Sequence, residues 1–522
     1  MVAHDAALSC SSPMIQNFSS LLDDSREQAY FVLGRFLSVD FPQRGGMLWF
    51  ELQQRASFRA TISQASVSSD NGDRLSKLPN DLLLNILERV GTLDAVRTCI
   101  LSRQLLKLPT MLSQIVIDLS LHDLVRMNGV VADVTDKILS ARSPQITIHK
   151  LKVKFLLSPS RCLSIGKSVA RAMATQKLDA AEFEILTPRD FQNCTEAYLL
   201  LFAAQLNNFL HACPDAFAGL TRLHLQNMRF AELDITNILV TCKRLESLCF
   251  VECDAGICSV LHVEHARLVE FTITFGEFKT VELSYLPKLQ RMTYNYWPCD
   301  DNPLVLGFVP QLSELNLTNA GLSDKTLELS QLLANVHTVR DLYLNFHSEK
   351  IWVRPECRWV LAPVLAQLRT VNLDNLPEEC DFAWTMFFLE AAQCLEELCF
   401  TVWDHKCCRE SQKSFSKKTD VKWEPSSINF KHKNLRKLTI YGFQSDKNFT
   451  SYIRRTMKTA VNIQEISLHD RKVCKICAEK FPQMEALPSS YPQTDEEKDS
   501  LRKKIAATPT MVASPAMIHF PS

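Results

Sequence analysis

A chain of 522 residues with 58 basic and 58 acidic side chains has no net charge to steer it towards nucleic acid or an anionic membrane. Its hydrophobic fraction of 46% is ordinary for a globular protein, no apolar run reaches membrane-spanning length, and no basic region leads into an apolar stretch at the start. The length predicts two or three domains, or one domain plus a repeat array, with neither a membrane span nor a secretory signal. The 18 cysteines are scattered rather than spaced as a framework. Cys249 in SLCF and Cys399 in ELCF sit in apolar, strand-like contexts and read as small buried hydrophobes of a reducing compartment, cytoplasm or nucleus.

Residues 1–72 hold two apolar islands, Ala29–Phe41 and Met47–Leu52, and then a Ser-rich linker over Thr61–Gly72. No function is assigned to this leader. The following stretch, 73–119, predicts three short helices. Leu78 precedes Pro79, which suits a first helical turn because its missing N–H costs nothing there, and Asp81 suits the positive end of the helix dipole. Leu82, Leu83, Ile86, Leu87 and Val90 recur at helical spacing, and Gly91 is a natural stop. Thr92 can cap a second helix with Leu93, Val96 and Ile100 on one face. A third, from Ser102, is expected to end near Leu108 because Pro109 follows. So small a domain buries little surface, and its first helix is apolar over more than one stripe, so some of those side chains need an outside partner.

The strings LPNDLLLNILERV and LDAVRTCILSRQ resemble the F-box, in particular its plant form. The resemblance implies binding to a Skp-type adaptor, and through it to a cullin, in a ubiquitin ligase. It assigns adaptor contacts to Leu78, Pro79, Leu82, Leu83, Ile86, Leu87, Val96 and Ile100. The sequence departs from the plant pattern in carrying Leu105, Leu106 and Leu108 where a basic residue and Trp usually follow.

Residues 120–177 read as a connecting segment and the start of a solenoid, with helices over Val131–Ala141 and Ser164–Ala174 and a strand over Ile146–Phe155. Gly166-Lys167-Ser168 invites a phosphate-loop reading, but Arg161 stands where that motif needs Gly. From 178 a unit L-x-x-L-x-L recurs, as in Leu220, Leu223 and Leu225, then Leu245, Leu248 and Phe250, and so on to Ile463, Ile466 and Leu468. Most steps fall in or near the roughly 20–29 residue period of leucine-rich repeats. One strand with alternate side chains inward cannot bury its own apolar face, so neighbours must stack. The expected fold is α/β: an N-terminal three-helix F-box, then a curved leucine-rich-repeat solenoid with a mainly parallel sheet over 178–433. Asn319, Asn375 and Cys253 fall near the turns after their strands.

The long step from Leu395 to Leu435 predicts an exposed insertion at 404–427, rich in Lys, Ser and Glu. Residues 434–470, beginning NLRKLTIYGFQSD, resemble the FBD segment at the C-terminal end of many plant F-box proteins. The tail, 471–522, has Pro, Ser, Thr and charges and is expected to be weakly ordered.

No catalytic motif is present, neither a Gly-x-Ser-x-Gly elbow nor a His-Glu-x-x-His helix. Cys253, Cys258, His262 and His265 are too closely spaced for a zinc finger, and Cys474 with Cys477 is two ligands short of a tetrahedral site, so no metal or other cofactor is expected. The resulting reading is a non-catalytic subunit that tethers a protein substrate held by the repeats to the adaptor held by the F-box. The alternative is a repeat scaffold whose degenerate F-box engages no ligase. Substrate is expected on the inner sheet face, at outward residues between the core positions: Arg222, His224, Glu246, Glu270, Glu314, Asn316, Asp341 and Tyr343. Their mixed but acid-rich charge favours a basic or polar protein segment over nucleic acid, whose phosphates would be repelled.

Overall fold

The computed structural model describes residues 78–98, 105–256, 259–298, 302–319, 326–348, 350–377, 380–402, 423–425, 430–471, 489–506 and 516–521. Two helices open it, α1 (Asn80–Val90) and α2 (Thr92–Thr98), followed by a 3-10 turn over Leu105–Met111. Pro79 precedes α1 in an extended conformation, Asp81 and Arg89 suit the two ends of its dipole, and Gly91 ends it at φ 82°. The third helix expected to stop near Leu108 is instead this 3-10 turn, with Pro109 inside it. Burial decides its shape: Leu108 and Leu112 are drawn into one cluster with Leu83, Leu87 and Ala95.

The chain continues as β1 (Gln114–Ile117), α3 (Leu121–Ser140), β2 (Ile148–Leu156), α4 (Pro159–Thr175), β3 (Leu178–Leu186), α5 (Glu196–Ala212), α6 (Pro214–Ala218), β4 (Arg222–Gln226), α7 (Asp234–Thr241) and β5 (Ser247–Val251). Then follow β6 (Val260–Glu264), β7 (Glu270–Thr274), β8 (Thr280–Tyr285), β9 (Arg291–Trp297), β10 (Leu304–Phe308), β11 (Glu314–Asn319), α8 (Leu329–Leu332), β12 (Asp341–Asn345), α9 (Arg358–Leu361) and β13 (Thr370–Leu376). The last elements are α10 (Met386–Ala391), β14 (Glu397–Val402), β15 (Lys437–Tyr441), α11 (Lys447–Thr459), β16 (Glu465–His469), α12 (Asp495–Ala506) and β17 (Met517–His519). Among the described residues no helix is long and apolar enough to cross a membrane.

The described residues fall into two compact units. One takes those up to Asn193, with Ala204–His224 and Thr241–Arg244; the other takes Cys194–Ala203, Leu225–Val240 and those from Leu245 onward. In the first, β1, β2 and β3 pair in parallel, with Gln114 opposite Lys150 and Lys150 opposite Ala180. Alternate residues Leu151, Val153 and Phe155 are fully buried, as a half-covered strand requires. The Gly-Lys-Ser string lies inside α4 and serves packing: a Cβ on Gly166 would stand 2.6 Å from the Phe209 ring and 2.7 Å from Cys213 Sγ.

In the second unit ten strands run in parallel in the order β5-β7-β9-β11-β12-β13-β14-β15-β16-β17. The register carries the repeat: Leu248, Phe271, Met292, Leu315, Leu342, Val371, Leu398, Leu438 and Ile466 form one inward row, each at most 1% exposed. Each such side chain is worth about 1.5–3 kcal/mol when buried, and stacking supplies the cover that a lone unit lacks. Return segments follow repeat length. The three shortest steps, from Leu245 through Leu268 and Leu289 to Leu312, leave no room for a helix and return through β6, β8 and β10, which form a second parallel sheet in the order β10-β8-β6. The longer steps return through helices, apart from the step with the insertion, most of which lies outside the described residues.

One expectation lies outside the described residues and another changes. The inserted residues 404–427 lie outside the described residues apart from 423–425. The tail read as weakly ordered instead carries α12 and a further sheet strand, β17, with Ile518 opposite Ile466. Leu501 and Ile505, four apart on a polar helix, are both buried, and the Tyr491 hydroxyl donates to the carbonyls of Leu468 (2.9 Å) and Pro521 (3.0 Å). Two apolar anchors and a buried tyrosine outweigh a polar composition.

Candidate functional site

The eight residues grouped by sequence as adaptor contacts separate in the structure. Leu83 and Leu87 are 1% and 4% exposed in the internal cluster, Val96 is buried, and Leu78 packs against that cluster. They hold the motif together rather than form its surface. Leu82, Ile86 and Val90, at i, i+4 and i+8, remain 53%, 41% and 45% exposed, a continuous apolar stripe beside exposed Pro79. Ile100 lies outside the described residues. Periodicity had marked Val90 as apolar, but not as part of the uncovered stripe. The stripe is held by polar ties as well as core: Glu88 accepts from Ser113 N (2.9 Å) and Oγ (2.5 Å), and the Thr92 hydroxyl accepts from Val116 N (2.7 Å).

On the second unit the outward residues line up in rows. The first runs Ser247, Glu270, Arg291, Glu314, Asp341, Thr370, Glu397, Lys437 and Glu465, with five carboxylates against two cations. Arg291 reaches back to Glu270 (3.5 Å) and Lys437 to Glu465 (3.6 Å), so Glu314 and Asp341 form the acidic centre. The second row includes Thr293, Asn316, Tyr343, Asn372 and Cys399. Burial pushes the Tyr343 phenol up, and the carboxylates of Asp341, Glu314 and Asp374 push the same way. Glu246 stands one residue ahead of the first row and faces Arg267 at 3.7 Å. Arg222 and His224 lie on β4; Arg222 pairs with Glu182 (3.6 Å), and burial pulls the His224 imidazole down.

A third row escaped the sequence reading: Asn295, Thr318, Asn345 and Asp374. With Tyr296, Asn316, Tyr343 and Leu344 they line a cavity of about 150 Å³. The available signal was a polar residue one place after the last core position of these four units. The next residue along is left-handed in unit after unit: Asn227, Glu252, Phe275, Tyr296, Asn375 and Gly442 all have φ between 52° and 78°. Its amide donates to the next strand, as Glu252 N does to Thr274 O (2.8 Å) and Phe275 N to Asn295 O (3.0 Å).

Of the cysteine–histidine candidates, Cys253 is buried, its thiol donating to Leu225 O (3.6 Å) and Val251 O (3.3 Å). His262 pairs with Glu282 (2.9 Å), while His265 Nδ1 accepts from Arg267 N (3.2 Å). Cys258, Cys474 and Cys477 lie outside the described residues. No group of three or more metal-ligating side chains occurs among the described residues.

The F-box domain model matches residues 75–116, which contain α1, α2 and the 3-10 turn. At5g22610, an F-box/FBD/LRR-repeat protein of Arabidopsis thaliana, is 22% identical over 47% of this chain and 52% of its own length. The FBD-associated F-box protein At3g52670 of the same plant is 25% identical over 59% and 71%, and the F-box/FBD/LRR-repeat protein At5g56420 is 24% identical over 43% and 56%. The chain thus spans about half the length of two of these relatives. A solved chain from the crystal structure of a TLR13–ssRNA13 complex superposes with a TM-score of 0.20 and 11% identity over 63% of this chain and 58% of that one. The model of the At1g61320/AtMIF1 LRR domain matches residues 203–501, more than half of the sequence and nearly all of the stacked strands, so the chain belongs to that leucine-rich-repeat family and carries an F-box domain ahead of its repeats.

Proposed function

We propose that this chain is the substrate-recognition subunit of a Skp–cullin–F-box ubiquitin ligase. The observation that carries the reading is the bare stripe of Leu82, Ile86 and Val90 within the F-box match, on a helix whose other apolar side is already spent on its own core. A Skp-type adaptor covering that stripe would dock the chain on the cullin assembly. The repeats of 178–433, with the FBD-like segment 434–470, would hold a protein whose basic or polar segment complements the acid-rich rows. The chain performs no bond chemistry in this reading. Two binding surfaces on one polypeptide raise the local concentration of substrate at the ligase.

The test is a double substitution, Leu82→Asp with Ile86→Asp. Both side chains are exposed in the free chain, so folding is expected to survive. Two carboxylates pressed unpaired into an adaptor interface would cost several kcal/mol, on the order of the burial penalty for charged groups. Co-purification with the adaptor is expected to disappear while the circular dichroism spectrum and melting temperature are kept. Undiminished co-purification would remove the stripe as the adaptor contact, whereas no co-purification of the unaltered chain would reject the ligase reading and favour the scaffold reading, which the substitution of Leu105, Leu106 and Leu108 for the usual aromatic positions supports. Leu108 itself is 1% exposed in the motif's core, so it is not the adaptor contact that the plant Trp implies.

A further inference from the structure

The cavity at the ends of β9, β11, β12 and β13 has properties that the repeat alone does not require. Its volume, about 150 Å³, is that of a cavity that holds one benzene-sized molecule and about half the lower bound of roughly 300 Å³ for small-molecule pockets. Size therefore favours the head of a single side chain over a free metabolite. The charge is one-sided: its lining has the Asp374 carboxylate and no Lys, Arg or His among the described residues. Glu314 and Asp341 stand in the adjoining row, two residues before Asn316 and Tyr343 on the same strands.

One wall is a prepared aromatic. Tyr296 stacks on Phe275 with ring centroids 4.1 Å apart and planes within 8°, and His347 meets it edge-on at 5.3 Å. Burial pulls the His347 imidazole down, so it is neutral at pH 7 and adds no competing charge. The amides are oriented too: Asn345 Oδ1 accepts from His347 N (2.9 Å) and Asn375 Nδ2 (3.2 Å), and Thr318 donates to Asn295 Oδ1 (3.0 Å). Asp374 is steadied by the Thr401 hydroxyl at 3.1 Å. An aromatic wall and a carboxylate, with the amides around them already held by hydrogen bonds, match a compact organic cation.

We propose that this cavity takes the cationic head of an arginine or lysine side chain presented by the captured protein. The inference rests on the reading that substrate lies along the outward rows of the second unit, and it locates one anchor residue there. The probe is a short peptide, acetyl-Gly-Arg-Gly-amide, compared with its citrulline counterpart, which keeps the shape of the arginine head and removes its charge. Both are titrated through the millimolar range into the full chain by saturation-transfer NMR. The arginine peptide is expected to bind saturably and at least tenfold more tightly than citrulline. Asp374→Asn is expected to reduce arginine to the citrulline level. Tyr296→Asn, which suits φ 61° better than tyrosine and so keeps the fold, is expected to weaken arginine binding several-fold. Equal binding of the two peptides, no saturable binding of either, or discrimination unchanged in both variants would overturn the proposal. Failure here is distinct from failure of the parent reading. Protein capture that is lost on charge reversal at Glu270, Glu314 and Asp341 but indifferent to Asp374→Asn and Tyr296→Asn removes the cavity and keeps the face.

Discussion

The left-handed residue that recurs at the ends of six strands shows how the repeat is enforced. Asn227 and Asn375 tolerate that conformation, and Gly442 needs no tolerance, whereas Phe275 and Tyr296 hold it at a cost of about 1–3 kcal/mol each. The cost is borne because the turn amide reaches the next strand and the two rings stack. Asparagine at such a turn could be anticipated from the repeat pattern; aromatic residues could not, since bulky side chains rarely adopt positive φ. Gly442 offers the cleanest test. It sits at φ 78°, and a Cβ there would collide with the carbonyl oxygen of Val402. Gly442→Ala is expected to destabilise the second unit by about 1–3 kcal/mol from the backbone alone, more with the clash. Calorimetry should show a lower melting temperature for its transition; an unchanged one would mean that the strand ends move apart freely.

At the scale of the element, the strands were legible because every core position recurs in register, and the returns were not. Whether a return is strand or helix depends on the few residues left over in each step, which no single unit reveals. Helix α1 was legible as a helix, but two apolar stripes side by side do not tell which one faces inward; Leu83 and Leu87 won because Ala95, Leu108 and Leu112 come back to meet them. The step containing the insertion has its own device. His432 is fully buried, with Nε2 donating to Ala392 O (3.0 Å) in the previous repeat and Nδ1 accepting from Leu435 N (2.9 Å) and Asn434 N (3.3 Å). That arrangement uses the neutral ring, and burial pulls its pKa below the usual value, partly offset by the Ala392 carbonyl. A histidine with a lowered folded pKa contributes stability that is complete above its unfolded pKa, about 6.5, and is lost as pH falls from there through the folded value. The melting temperature of the second unit is therefore expected to fall between pH 7.5 and 5.5, with a shallower slope in His432→Gln. Equal slopes in the two proteins would remove His432 as a contributor.

At the scale of the whole molecule, the two proposed activities make different demands on the chain. Adaptor docking needs one apolar stripe on one helix, and a helix of eleven residues supplies it. Substrate capture needs a long surface, because outward side chains are half-exposed and each contributes little alone; rim charges act chiefly on encounter rate and partner choice. Stacking converts residues scattered over more than two hundred positions into rows one strand apart, which is why the sequence could name Glu270, Glu314, Asp341, Asn316 and Tyr343 without showing that they adjoin. Nor could it show that Glu246 falls outside the row or that Arg291 offsets Glu270. The acidic centre can be tested directly. Glu270→Lys, Glu314→Lys and Asp341→Lys together invert the first row without touching any inward position. Folding and adaptor co-purification are expected to be unchanged, since the bare stripe of α1 carries none of these residues. Proximity labelling from the full chain is expected to lose its basic-segment partners by tenfold or more, with the remaining capture less sensitive to salt, because screening weakens an attraction between exposed charges. A partner profile identical to that of the unaltered protein would remove the outward rows as the recognition surface while leaving the ligase attachment standing.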